Sequence, residues 1–267
     1  MPRIEKRRAP QVTAAGRRPR RRSESAHDLV MRRIGLAIVS GEYPAGSLLP
    51  TKDVLTAKFK VSNSTLREAM QKLVAKGMIL AKTKVGTRVL EQRQWNMFDA
   101  DILDWRFEIG VDRSFLAQLF ELRQTFEPMA AALMARRRTE EQTAQLRALA
   151  RHMQEAGGER GAFAEADLAF HLLILDASGN PFLQSIGALI RTALAASFSI
   201  SAPTDDSTRL VNSWAGHMAI ADAIAAQDPT AAARAMTVVI EDGWATIGGV
   251  SSPPLTEVSL RAYRAEV

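Results

Sequence analysis

The sequence predicts a mainly α protein in two parts: a small α+β unit of three helices with a two-stranded wing, then an all-α helical bundle. Three observations predict it. Charge divides the chain. Residues 1–22 hold nine Lys/Arg and one Glu, residues 23–90 hold eleven Lys/Arg and five Asp/Glu, and residues 91–267 hold fifteen Lys/Arg and twenty-three Asp/Glu. Apolar periodicity shifts from helical to alternating between Val61 and Leu90. Beyond residue 110 only helical periods recur, separated by Gly, Pro, Asn and Thr breaks, and no strand pattern returns.

Composition sets the frame. With 267 residues, 46% hydrophobic and 6% aromatic, the chain has enough apolar content for one large domain or two ordinary ones. No apolar run approaches the roughly 18–20 residues that a membrane span needs. The Arg-rich start has no apolar stretch behind it, so a secretory signal is not expected. There is no cysteine, which excludes disulfides and Cys-ligated zinc and leaves a cytoplasmic location as the expectation. A basic front and an acidic back suggest a nucleic-acid-binding module joined to something else.

The elements follow in order. Residues 1–22 have Pro, Gly and Arg without hydrophobic period and read as a disordered basic arm suited to phosphate contact. Ser25–Ser40 is helical, with Leu29, Ile34, Ala37 and Ile38 near one stripe, and Gly41, Pro44 and Gly46 end it. Thr51 caps a short helix through Lys58, with Val54 and Leu55 inward. Ser62 caps the next helix, whose apolar stripe is Leu66, Met70, Leu73 and Val74 and which ends at Gly77. Met78–Lys82 and Thr87–Leu90 read as strands around Gly86.

This order makes residues 23–90 a winged helix-turn-helix. Its second helix is built to enter a major groove with its N-terminal residues at base edges. Ser62, Asn63, Ser64, Thr65 and Arg67 sit at that end, where free backbone N–H groups also favour a phosphate. Lys84, Gly86 and Arg88, with Lys82, form a basic wing for the DNA backbone or adjacent minor groove, Gly86 permitting close approach. The bland reading is a structural unit with a solvated basic face.

Residues 91–110, "EQRQWNMFDADILDWRFEIG", are too apolar for a free linker. Trp95, Phe98, Ile102, Leu103 and Trp105 are expected to dock the first domain onto the second or onto a partner subunit. Helices are then expected at about 99–108, 113–136, 139–156, 159–177, 181–201, 206–226 and 229–247, a bundle spanning residues 111–247. Pro128 should kink or split its helix, while Pro181 suits a first helical position. Residues 248–267 read as a weakly ordered tail. Asp167 and His171 lie at i, i+4, and His217 lies on a later helix. Two His and a carboxylate suit a divalent metal with open positions, but spacing by itself favours a plain side-chain contact.

The segment "GEYPAGSLLPTKDVLTAKFKVSNSTLREAMQKLVAKGMILAKTKVGTRV" resembles the GntR family of bacterial transcription regulators. Shared features are the Gly-x-x-x-x-Gly-x-x-Leu-Pro opening, Val-Ser, Leu-Arg-Glu-Ala and the Gly-containing wing. Two departures stand out: Asn63 where the family usually has Arg, and Thr51-Lys52 where it has Ser/Ala-Glu. Asn63 is suited to reading adenine. Residues 113–247, through "ELRQTFEP", "EADLAFH", "SGNPFL" and "HMAIADAIAAQDPTAAARAM", look like the FCD effector-binding domain of the family's FadR branch.

That resemblance implies a metal, often zinc, held by one Asp and three His. Asp167, His171 and His217 match three of these positions and Val239 stands at the fourth. It implies that Arg123 points into the same cavity, where its planar fork suits a carboxylate; the alternative is a surface ion pair. Asn180, Arg191, Ser213 and Trp214 are further effector candidates. The linker resembles that of regulators of sugar-acid catabolism, which implies an aldonate or uronate effector. A homodimer on a palindromic operator, released by its effector, is the implied function. The rivals are an architectural DNA-binding protein with a dimerisation-only bundle and a two-His–one-carboxylate metal enzyme, for which no further catalytic motif is present.

Overall fold

The computed structural model describes residues 25–82, 85–110, 113–203 and 206–247. The expected basic arm, the C-terminal tail and Lys84 lie outside the described residues. Among them run α1 (Ala26–Val39), α2 (Lys52–Phe59), α3 (Asn63–Ala75), β1 (Ile79–Lys82), β2 (Gly86–Val89), then α4 (Ala100–Ile109), α5 (Arg113–Arg137), α6 (Glu140–Ala156), α7 (Arg160–Ala177), α8 (Pro181–Ser201), α9 (Ser207–Ala225) and α10 (Pro229–Thr246). No helix among them is long and apolar enough to cross a membrane.

Side-chain caps set the helix starts. Ser25, Ser62, Asp99, Thr139, Glu159, Asn180, Asp206 and Asp228 each accept a backbone N–H in the first turn, satisfying groups that a helix leaves unpaired. Thr51 sits at the N-cap of α2 without making that bond. Lys60, left-handed at φ 54°, turns the chain from α2 into α3.

The core of the first domain joins α1, α2, α3 and the wing through Val30, Ile34, Leu55, Leu66, Leu73 and Ile79. Three expected stripe positions face out instead: Leu29 is 46% exposed, Val54 54% and Val74 43%. Each lies at the edge of its apolar face, where a turn of one residue moves it to solvent. Val30, Met31 and Ala69 are buried in the same helices. The wing is an antiparallel pair with Ile79 opposite Val89 and Lys82 opposite Gly86. The loop before α2 adds a third edge, with Leu49 N donating to Thr87 O at 2.8 Å and Gly46 N to Val89 O at 2.9 Å.

The linker docks through Trp95, Ile102, Leu103 and Trp105, whereas Phe98, expected to dock with them, is 42% exposed. Ile102 and Trp105 of α4 belong to the first domain's core, whereas Leu103 packs with Phe115 and Leu119 of α5. Lys76, at the end of α3, is clamped by Asp99 (2.7 Å) and Asp101 (2.6 Å) at the start of α4. Gly35 of α1 is the seat for Trp105: a Cβ there would lie 2.1 Å from the indole Cζ3. Gly35→Ala is therefore expected to lose about 1–3 kcal/mol through overpacking, although alanine by itself favours a helix by about 1 kcal/mol over glycine. Denaturant unfolding of the full chain reads the sign; a gain in stability would show that Trp105 is not seated there.

The second core is the bundle. Helix α10 packs on α5 and α9, α6 on α7 and α9, and α7 on α5 and α8. Pro128 does not split α5, which runs unbroken through Arg137. Phe126, Ala130 and Ala131, buried on either side of it, hold the helix together and offset the one backbone bond that proline forfeits.

Candidate functional site

At the start of α3, Ser62 Oγ lies 2.8 Å from Ser64 Oγ and 2.9 Å from Thr65 Oγ1, and it accepts Thr65 N–H. The three hydroxyls thus brace the cap. Asn63 and Arg67 are exposed and make no hydrogen bond or ion pair among the described residues. Two charged groups on α3 are already engaged: Glu68 meets His27 at 3.1 Å and Lys72 pairs with Asp28. Lys72 hydrogen-bonded to it, with Ser25, pulls the Asp28 carboxyl down to about 2. So α1 orients α3, and the free base-reading groups are few. On the wing Arg88 Nη1 donates to Gly46 O at 2.8 Å, tying the strand to the loop before α2. Gly86 is exposed at φ 109°.

In the bundle, α7 carries Asp167 and His171 one turn apart, and α9 brings His217 against them. All three are buried, and their donor atoms cluster. His217 Nε2 is 3.1 Å from Asp167 Oδ1 and 3.3 Å from His171 Nε2, and His171 Nε2 is 3.2 Å from Asp167 Oδ1. The far nitrogens also face oxygen, although His171 Nδ1 and its Glu127 oxygen meet as a close charge contact without hydrogen-bond geometry. His217 Nδ1 is 2.7 Å from Ser213 O, and His171 Nδ1 is 2.5 Å from a Glu127 oxygen. A carbonyl or carboxylate oxygen only accepts, so each Nδ1 carries the hydrogen and each neutral ring turns a lone pair on Nε2 toward Asp167. Three acceptors then converge on one buried point, an arrangement that calls for a cation.

The donor set fits a metal. Bonds of about 2.0–2.1 Å in a tetrahedral site place neighbouring donors roughly 3.3 Å apart, close to the three edges found. The local field has the same sign. Burial would raise the Glu127 carboxyl, but Arg123 and His171 outweigh it and hold it at about 2. Asp167 is held well below the ordinary carboxylate range by the two imidazoles, against its burial. Burial would lower His171; Glu127 and Asp167 outweigh it and lift it to about 9. The cluster can thus hold a proton on His171 Nε2 or a metal ion that displaces it.

Residues 27–89 match the bacterial regulatory proteins of the gntR family, and residues 118–242 match the FCD domain. The galactonate operon transcriptional repressor of Escherichia coli (strain K12) is 32% identical over 213 residues, 80% of this chain and 93% of that protein. The chain belongs to the GntR family. An uncharacterized HTH-type transcriptional regulator of the same organism, YieP, is 34% identical over 206 residues, 76% of this chain and 87% of that one. A solved structure described as Lar, which controls the Listeria monocytogenes agr system, shares the fold at a TM-score of 0.58 and 17% identity, covering 86% of this chain and all of its own.

In this GntR regulator the candidate effector residues separate. Arg123 is buried beside the cluster, its guanidinium carbon 4.5 Å from the Phe198 ring centre and 4.9 Å from that of Phe120. It is no surface pair: Nε donates to Glu127 at 2.8 Å in the interior. Ser213 supplies the carbonyl to His217 and lines a cleft of about 250 Å³ with Ser201, Arg209, Asn212, Asp242 and Thr246. Trp214 packs at the edge of the bundle core. Asn180 caps α8 by accepting Phe182 N–H at 3.0 Å. Arg191 is exposed in an outer groove with His152, Asp176 and Gln184. The structure brings neither Asn180 nor Arg191 to the cluster.

Val239 is buried against α9, where a Cβ on Gly216 would lie 2.8 Å from its Cγ2. An apolar side chain thus fills the position where the resemblance implies a fourth ligand, and three ligand atoms converge among the described residues. Glu127, four residues after Arg123, is the group that inspection of the sequence missed. The "ELRQTFEP" segment contained it, but its meeting with His171 depends on how α5 packs on α7.

Proposed function

We propose that this regulator is a homodimeric repressor of a palindromic operator, released by a sugar acid bound in the bundle. Asp167, His171 and His217 would hold a divalent ion, zinc being suited to that donor set; bound there, it supplies a Lewis-acidic point for an effector carboxylate. Arg123 is joined to that cluster through Glu127, which meets His171, and through Phe198, which stacks on His171; its Nη1 and Nη2 make no hydrogen bond among the described residues. The observation that carries the proposal is the convergence of three buried donor atoms, linked through Glu127 to a buried arginine. A bundle that only dimerised would not need such costly groups. The galactonate operon repressor as a relative favours a polyhydroxy acid, and the polar cleft at Ser213 suits its hydroxyls.

On DNA, α3 would lie in the major groove, with Asn63 and Arg67 reading bases, Ser62, Ser64 and Thr65 at the phosphate-facing N-terminus, and the wing, with Lys84, Gly86 and Arg88, along the backbone. Arg67→Ala is expected to weaken specific operator binding by about 1–3 kcal/mol. Titration of labelled operator measures it, and an unchanged affinity would remove α3 as the reading helix.

The effector reading is tested by a thermal-shift panel of aldonates and uronates with and without EDTA, followed by operator titration with each hit. A ligand that binds only the folded state raises Tm by mass action, and release requires that it prefer the non-DNA-binding conformation. A hit abolished by EDTA that lowers operator affinity is the expected result. No shift with any sugar acid in the presence of metal would discard that ligand class.

A further inference from the structure

The structure assigns Glu127 a role beyond the expected ligands: we propose that its carboxylate is the positioning group that presents His171 to a metal and Arg123 to an effector at the same time. The inference rests on the metal reading above and deepens it.

Glu127 is fully buried. Its Oε1 accepts Arg123 Nε–H at 2.8 Å, and its Oε2 lies 2.5 Å from His171 Nδ1. One carboxylate therefore spans two elements, α5 and α7, and two functions. Toward His171, an ionised carboxylate can only accept, so it fixes the tautomer with hydrogen on Nδ1 and turns Nε2 toward Asp167 and His217. Ser213 O performs the same service for His217 from α9. Both imidazoles are thus backed by oxygen, a close carboxylate contact on His171 and a hydrogen-bonded carbonyl on His217, and such outer partners set ligand orientation and basicity. Toward Arg123, the bond to Nε fixes the plane of the guanidinium between the rings of Phe120 and Phe198. Phe198 also stacks on His171 at 4.9 Å, so arginine, carboxylate, imidazole and phenyl ring form one closed set of contacts.

The discriminating variant in the full-length protein is Glu127→Gln. It preserves shape, but an amide offers a single acceptor oxygen where two donors need one each. Either Arg123 or His171 then faces an N–H group. The measurements are Co²⁺ and Zn²⁺ affinity by competition with a chromophoric chelator, and the Co²⁺ d–d absorption bands. The expected result is binding weakened roughly 10–100-fold with shifted bands, at unchanged helical circular dichroism. Wild-type affinity and bands in the variant would overturn the assignment and leave the metal centre standing. No metal uptake by the wild type would overturn the metal reading and this assignment with it. If the variant does not fold, ¹⁵N NMR of the histidine side chains in the metal-loaded wild type decides. His171 protonated on Nδ1 and bound through Nε2 supports the role, and the reverse tautomer overturns it.

Discussion

Arg123→Ala is expected to destabilise the protein by about 3–5 kcal/mol, because it leaves a buried carboxylate without its compensating cation. Arg123 is 2% exposed and Glu127 0%. In the intact protein the guanidinium donates to Glu127 and lies over two aromatic rings, so the substitution removes a charge-assisted bond and two cation–ring contacts together. The partner charge is the larger part of the effect: Glu127 would retain only His171. Replacing both charges, as Arg123→Met with Glu127→Leu, should recover much of the loss, since an apolar pair of similar volume needs no desolvation. Chemical unfolding of the wild type and the two variants checks this. If the single and double variants are equally unstable, packing rather than charge governs the site.

The second large effect is on metal binding. His217→Ala removes one of three converging donors, so affinity should fall by more than the roughly 10–100-fold that follows loss of an outer partner. His217 is the informative choice because, among the described residues, its one polar contact outside the cluster is to a backbone carbonyl, whereas His171 also meets Glu127. Its ring meets Phe170 edge-on at 5.0 Å, so some loss of packing accompanies the change. Zinc content after dialysis and calorimetric titration give the answer. Metal retained at wild-type affinity would place the ion elsewhere.

The two halves of the molecule differ in how much their sequences disclose. In the first, Ser62 as a cap, the helical period of Leu66 and Leu73 and the alternating wing around Gly86 are local patterns, and the structure follows them to within a residue or two. Leu29, Val54 and Val74 were misplaced because periodicity locates a stripe but not its edges; the neighbouring helix decides which borderline residue is covered. Lys72, a basic residue on the same helix as Arg67, is paired with Asp28 of α1, which no local pattern indicates.

In the bundle, the i, i+4 spacing of Asp167 and His171 was visible, as was His217, but only as separate marks. Arg191 and Asn180 share the right chemistry and face elsewhere, for which no local pattern gives a sign. Pro128 is the opposite case, a local breaker overridden by the packing around it.

By itself, then, the sequence determined the division into a basic winged unit and an acidic helical bundle, the helix starts, and the residue types available for DNA and metal, because these depend on backbone sterics, capping and periodicity within a few residues. The tertiary structure alone decided which of those residues meet. The approach of α5, α7 and α9 joined Arg123, Glu127, Asp167, His171 and His217, put Val239 where a ligand is expected, and seated Trp105 on Gly35. Contacts between residues tens of positions apart depend on how whole helix faces pack, and burial then makes a charge consequential that on a surface would be screened.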